Sequence, residues 1–137
     1  MATVPLLDDE TAPAEALAVF DDIRAIRGTD DVNNFWRALA HNPELLRATW
    51  ERLKAVMAPR AGGLDPLTKE FVYIAVSVAN GCDYCIHSHT AAARAKGASE
   101  AQIADLRAVI AMAAATNALA TALAVPVDDA FRAESCG

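Results

Sequence analysis

Asp65-Pro66-Leu67-Thr68-Lys69-Glu70-Phe71-Val72-Tyr73-Ile74-Ala75-Val76-Ser77-Val78-Ala79-Asn80-Gly81 is the stretch on which the fold class turns. From Phe71 to Ala79 it is β-branched and aromatic enough for a buried strand, and periodicity alone does not separate that from a helix apolar on every side. The ends of the stretch separate them. Asp65 is a side-chain N-cap, and Pro66 suits a first helical position, where its missing N–H is no loss. The run before the Asn80-Gly81 break is also longer than an ordinary strand. The segment reads as a helix, and its all-round apolar character predicts a central, buried one.

Working outward, the same punctuation recurs. Cys82 or Asp83 starts the next helix, which runs through the Ala-rich stretch to Lys96 and stops at Gly97. Ser99 and Gln102 then form a capping box at the head of a last regular stretch, Ile103 to Val125. Towards the N-terminus, Leu45, Leu46, Thr49, Trp50, Leu53 and Val56 mark an amphipathic helix opened by Pro43 and closed near Pro59. Asn33 or Asn34 caps a short helix through Phe35, Trp36 and Leu39, ending at Asn42-Pro43. Before it, Leu17, Phe20, Ile23 and Ile26 repeat at helical spacing between Pro13 and Gly28. The expected class is all-α, a compact fold of six to seven helices in a single domain over residues 1–137, with a frayed C-terminal tail.

Composition narrows the function. At 54% hydrophobic and 22% charged residues the chain buries a core, and a formal net charge of -6 with no Lys/Arg cluster argues against nucleic acid. Met1–Pro5 is followed by acids rather than a basic region and a long apolar run, which points to a cytoplasmic protein. The Ile103–Val125 stretch is rich in Ala, which contributes little to transfer from water, so no membrane partner is expected and the helix is read as one that packs closely on another. Three cysteines, two of them three apart, suit redox or metal work in a reducing compartment better than a disulfide framework. Cys136, next to the C-terminus, reads as incidental.

Cys82, Cys85 and His89 are spaced by three and four, so a helix sets two thiols and an imidazole on one face. At a helix start, open N–H groups favour thiolate, most strongly at the first thiol, Cys82. His87 falls off that face, and His41 reads as a cation at a helix C-terminus. Glu70 has two readings. It is either an ordinary first-turn acid favoured by the helix dipole, or a half-buried carboxyl with no cation on its face, raised in pKa and suited to proton exchange. Taken alone, the first is favoured.

The spacing Glu70-x11-Cys82-x2-Cys85-x3-His89 resembles the pattern of the alkylhydroperoxidase AhpD-like family, within the carboxymuconolactone decarboxylase superfamily. The similarity runs in register from about Asn34 to Val125, including the Asp65-Pro66 entry and the Lys96-Gly97-Ala98 turn. It implies a thiol-dependent peroxidase in which Cys85 is the peroxidatic cysteine, passing through a sulfenic acid. Cys82 would donate a proton and then close a Cys82–Cys85 disulfide, while Glu70 and His89 would form a proton relay. A nearby resolving thiol prevents overoxidation. The resemblance further implies a small-molecule peroxide substrate, a lipoylated or thioredoxin-like reductant protein, no cofactor, and a homo-oligomer, trimer or hexamer, assembled through apolar helix faces. Tyr84 stands where the founding enzyme has a histidine, which removes one proton carrier.

Three other readings compete. Cys82, Cys85 and His89 with Glu70 or His87 are acceptable zinc ligands, although structural zinc more often recruits a second cysteine pair. A thiol-disulfide oxidoreductase for a lipoyl or protein disulfide would use the same four residues. A muconolactone decarboxylase would need acid–base groups and have no use for paired thiols. Phe35, Trp36, Trp50, Phe71 and Tyr73 could line a pocket, but aromatics at helical spacing are expected mostly in the core.

Overall fold

A computed structural model describes residues 1–132; Cys136 lies outside the described residues. All regular structure among them is helical: α1 (Ala14–Arg27), α2 (Asn34–Leu39), α3 (Pro43–Met57), α4 (Pro66–Ala79), α5 (Asp83–Ala95), α6 (Glu100–Ala122) and a 3₁₀ turn at Asp129–Phe131. The 66–79 segment is thus a helix, as its ends require. Asp65 accepts from the Thr68 N–H at 3.0 Å and from its hydroxyl at 2.6 Å, fixing the first turn before the β-branched run begins. Two compact units result, one of α1–α3 up to Ala58 and one of α4–α6 from Pro59 onward.

In the first unit, α3 packs on α1 and α2. Phe20, Ile23 and Leu46 are fully enclosed, together with Ala16, Val19, Val32, Trp36, Ala40 and Trp50. Trp36 and Trp50 meet edge to face, ring centroids 5.3 Å apart. The polar edge of Trp50 is satisfied, because its Nε1–H donates to Asp22 Oδ2 at 2.7 Å, an oxygen that also receives Lys54 Nζ at 2.7 Å. The aromatic core expectation therefore holds for both tryptophans, while Phe35 is exposed. His41 follows the end of α2, and its Nε2 meets the Pro5 carbonyl at 2.7 Å and ties down the N-terminal segment.

In the second unit, α4 packs along α5 and, less extensively, on α6. The tight Asn80–Cys82 connection, with Gly81 at φ 67°, folds α4 and α5 into a hairpin. The Ser99–Gln102 capping box is formed in both directions, at 2.9 and 3.0 Å. One expectation fails. α4 is not buried all round, since Val72 and Val76, on one face, are 49% and 53% exposed. A helix can be apolar on every side without its own chain covering every side. α6 carries exposed Val109, Met112 and Leu119, and is the one helix among the described residues long and apolar enough to cross a membrane by length and composition.

Candidate active site

The α4–α5 hairpin brings Glu70, from the second turn of α4, against the middle and end of α5. Glu70 is 4% exposed. Its Oε2 lies 2.6 Å from His89 Nδ1, and its Oε1 accepts from Lys96 Nζ at 2.8 Å. The acid and the imidazole expected to form a relay are therefore in direct contact. The expectation that no cation faces Glu70 is corrected: Lys96, 26 residues away in sequence, reaches it across the hairpin. Burial pushes the carboxyl pKa up, but the hydrogen bonds from His89 and Lys96, with their charges, outweigh it and hold the group below its ordinary value. Glu70 is an ionised carboxylate, not the neutral acid that burial alone would produce.

Cys82 occupies the N-cap position of α5 and Cys85 lies one turn on; both are half-buried free thiols. Cys82 is lowered in pKa, first by the hydrogen bond donated by the Cys85 thiol, then by the N–H of Cys85, with Tyr84 N–H adding to it. These are the open amides of a helix start. Cys85 is pushed up to about 11, chiefly by burial and then by the hydrogen bond and charge of Cys82. Of the two, Cys82 is the more acidic thiol, the order that the helix start predicts.

Tyr73, grouped by sequence with the aromatics expected mostly in the core, lies instead at the site. It is half-buried and stacks on the His89 ring, centroids 3.6 Å apart and planes 21° from parallel. Burial raises its phenol, and the charges of Cys85, Glu70 and Cys82 raise it further. Its signal was present, since Tyr73 is one turn beyond Glu70 on the same face of α4. Lys96 likewise is two turns beyond His89 on α5. His87 is exposed, consistent with its position off the cysteine face. Among the described residues no group of three or more His, Cys, Asp and Glu side chains is arranged to hold a metal ion.

The sequence profile of the carboxymuconolactone decarboxylase family matches residues 43–128, well over half of the chain. The chain belongs to the carboxymuconolactone decarboxylase family. Within this family it is similar to proteins named alkyl hydroperoxide reductase AhpD. That of Azorhizobium caulinodans is 33% identical over 100 residues, 71% of this chain and 54% of its own length. That of Solibacter usitatus is 32% identical over 114 residues, 83% of this chain and 62% of its own length. The chain spans little more than half the length of these curated relatives. The crystal structure of the alkylhydroperoxidase AhpD core from Rhodospirillum rubrum is 62% identical, superposes with a TM-score of 0.90, and covers 96% of this chain and 97% of that one. The family assignment and the AhpD-like all-α fold therefore agree.

Proposed function

We propose that the protein is a thiol-dependent peroxidase of the alkyl hydroperoxide reductase type, with Cys85 and Cys82 as its redox pair and Glu70 and His89 as its proton relay. The observation that carries this is the buried Glu70–His89 contact at 2.6 Å, with the two thiols on the same helix and His89 one turn beyond Cys85. The AhpD-named relatives and the AhpD core structure support it.

In this reading Cys82, as thiolate, takes the proton of the Cys85 thiol one turn along α5. The Cys85 sulfur attacks the terminal peroxide oxygen, the O–O bond breaks, and the departing alkoxide takes the proton from Cys82 to leave as alcohol. Cys85 is then a sulfenic acid and Cys82 is again a thiolate. Cys82 attacks the Cys85 sulfur, forming the disulfide and expelling hydroxide, which the relay protonates to water through the imidazole. The pair has lost two electrons to the peroxide, and an external dithiol, on a lipoylated or thioredoxin-like protein, restores them by exchange. This ordering reconciles Cys85 as nucleophile with Cys82 as the lower-pKa thiol, because Cys82 serves as base and then as acid.

Such chemistry suits the reducing cytoplasm. The exposed apolar faces of α4 and α6 support a homo-oligomer, trimer or hexamer, in which copies of the chain cover Val72, Val76 and Val109. Light scattering at the mass of one subunit would contradict that assembly. The catalytic assignment is tested with Cys82→Ser and Cys85→Ser proteins treated with cumene hydroperoxide and dimedone. Sulfenate is expected at Cys85 in the first and none in the second; trapping at Cys82 in the Cys85→Ser protein with full peroxide turnover would reverse the roles.

A second reading is a disulfide oxidoreductase acting on a lipoyl or protein disulfide. The half-exposed, low-pKa Cys82 at a helix start favours it, since that geometry suits attack on an external disulfide. Rapid exchange with lipoamide and negligible oxidation by peroxide would establish it over the first.

A further inference from the structure

We propose that Lys96 is a positioning residue of this site: from the end of α5 it holds the Glu70 carboxylate ionised and aligned on His89, and thereby sets the lowest pH at which the relay serves the thiols. The inference rests on the peroxidase reading for its kinetic consequence, and on the hairpin geometry for its electrostatic one.

His89 and Lys96 are seven residues apart on α5, two helical turns, so both project from the same face. Glu70 sits between them and gives one oxygen to each: Oε2 to Nδ1 at 2.6 Å, Oε1 to Nζ at 2.8 Å. A carboxyl this enclosed would take up a proton if left with apolar neighbours. A proton on Oε1 would bring an O–H against the Lys96 ammonium, a donor already in place, and one on Oε2 would require the imidazole Nδ1 to turn acceptor. The lysine ammonium therefore fills the one arrangement that keeps both oxygens as acceptors. It also fixes the rotation of the carboxylate about its own axis, and with it the direction from which Oε2 meets the imidazole.

The local backbone explains why a lysine reaches this point. Gly97, at φ 96°, turns the chain after the last helical residues, and the Lys96 N–H caps the Ala92 and Ala93 carbonyls. A cation at that end also meets the negative pole of α5. The elements that pack here carry further charged and titratable groups. Lys69 and Tyr73 belong to α4, and His89 with the two cysteines to α5. On α6, Glu100 is engaged by Arg94 at 2.7 Å and lies within the influence of Arg107. The cation in contact with the buried oxygens is Lys96.

Removing that positive charge destabilises the ionised carboxylate and favours every protonated form of the Glu70–His89 pair. The acid limb of thiol activation should then move to higher pH. A residue that only braced the fold would lower the rate by one factor at all pH values.

The test uses the full chain with Lys96→Met and Lys96→Arg. Two quantities are followed against pH: the Glu70 carboxyl resonance by ¹³C NMR, and the single-turnover rate with cumene hydroperoxide. Lys96→Met is expected to raise the Glu70 midpoint by about one pH unit or more and to shift the acid limb of the rate upward with it, while Lys96→Arg stays near wild type. A Glu70 midpoint unmoved in Lys96→Met overturns the proposal, as does a rate reduced equally at every pH. If the wild-type protein consumes no peroxide, the peroxidase reading falls and the NMR titration alone decides the Lys96 assignment.

Discussion

Replacing Glu70 by Gln keeps the shape of the side chain and removes its charge, which isolates what the carboxylate does for the fold. In the native protein it accepts two charge-assisted hydrogen bonds, from His89 at 2.6 Å and Lys96 at 2.8 Å. Such bonds contribute about 1.5–3 kcal/mol each when well shielded, and neutral ones about 1 kcal/mol. Here the donors are 16% and 39% exposed, so both recover water when the charge is lost. Discounted for that, the substitution should cost about 2 kcal/mol at pH 7, or about 6 °C in Tm for a chain of this size. The cost should depend on pH in one direction. Glu70 is held below its ordinary value of 4.5, so the folded protein binds this proton less readily than the unfolded chain. Its stabilisation is complete above that value and is lost as pH falls through the lower, folded-state value. Urea unfolding of both proteins at one protein concentration, at pH 7, 5, 4 and 3, measures the difference. The gap should be widest at neutral pH and close towards pH 3. A gap that is constant with pH, or a Gln variant more stable at pH 7, would show that Glu70 is not an ion-paired carboxylate.

Other substitutions probe the remaining links. Iodoacetamide at neutral pH should label Cys82 well before Cys85, read by peptide mass spectrometry; equal labelling would contradict the assigned order of acidity. In a Cys82→Ser protein, Cys85 should become alkylated at lower pH than in wild type, since the hydrogen bond and charge of Cys82 help push Cys85 up to about 11. Phe20→Ala, at a fully enclosed site, should cost about 3–5 kcal/mol in urea unfolding; a loss below 1 kcal/mol would mean that the α1–α3 core is loosely packed. Ser99→Ala removes the bond from Gln102 N–H at 3.0 Å and should cost about 1 kcal/mol in the same assay.

Helix boundaries were legible because they depend on neighbours in sequence. Asp65-Pro66, Asn42-Pro43, Gly28, Gly97 and the Ser99–Gln102 pair all act within one turn, and each stands where its chemistry placed it. The downward shift of Cys82 was legible in part for the same reason: the hydrogen bond from the Cys85 thiol is its first cause, but the open amides at the start of α5 act in the same direction. Contacts across the hairpin were not. Lys96 meets Glu70 only after α4 and α5 fold together, and without it the half-buried reading of the acid carried the wrong direction of pKa shift. Tyr73 was one more aromatic in an apolar run until His89 was placed beneath it. The exposed Val72 and Val76 show the same limit: a helical pattern gives the faces of a helix but not what covers each of them. The pairing of Glu70 with His89, by contrast, was reached through a fixed spacing of four residues that resembled a family pattern, and the two do meet.

The central claim is that a pair of thiols beside a buried acid–imidazole contact reduces a peroxide and stores the oxidation as a bridge. Rapid mixing of the fully reduced protein with cumene hydroperoxide, followed by acid quench, thiol counting and peptide mass spectrometry, tests it most directly. The account predicts one peroxide consumed for the two thiols Cys82 and Cys85, with alcohol released and those two residues joined in one peptide pair. Both thiols surviving an excess of peroxide, while the same protein exchanges rapidly with lipoamide, would contradict it.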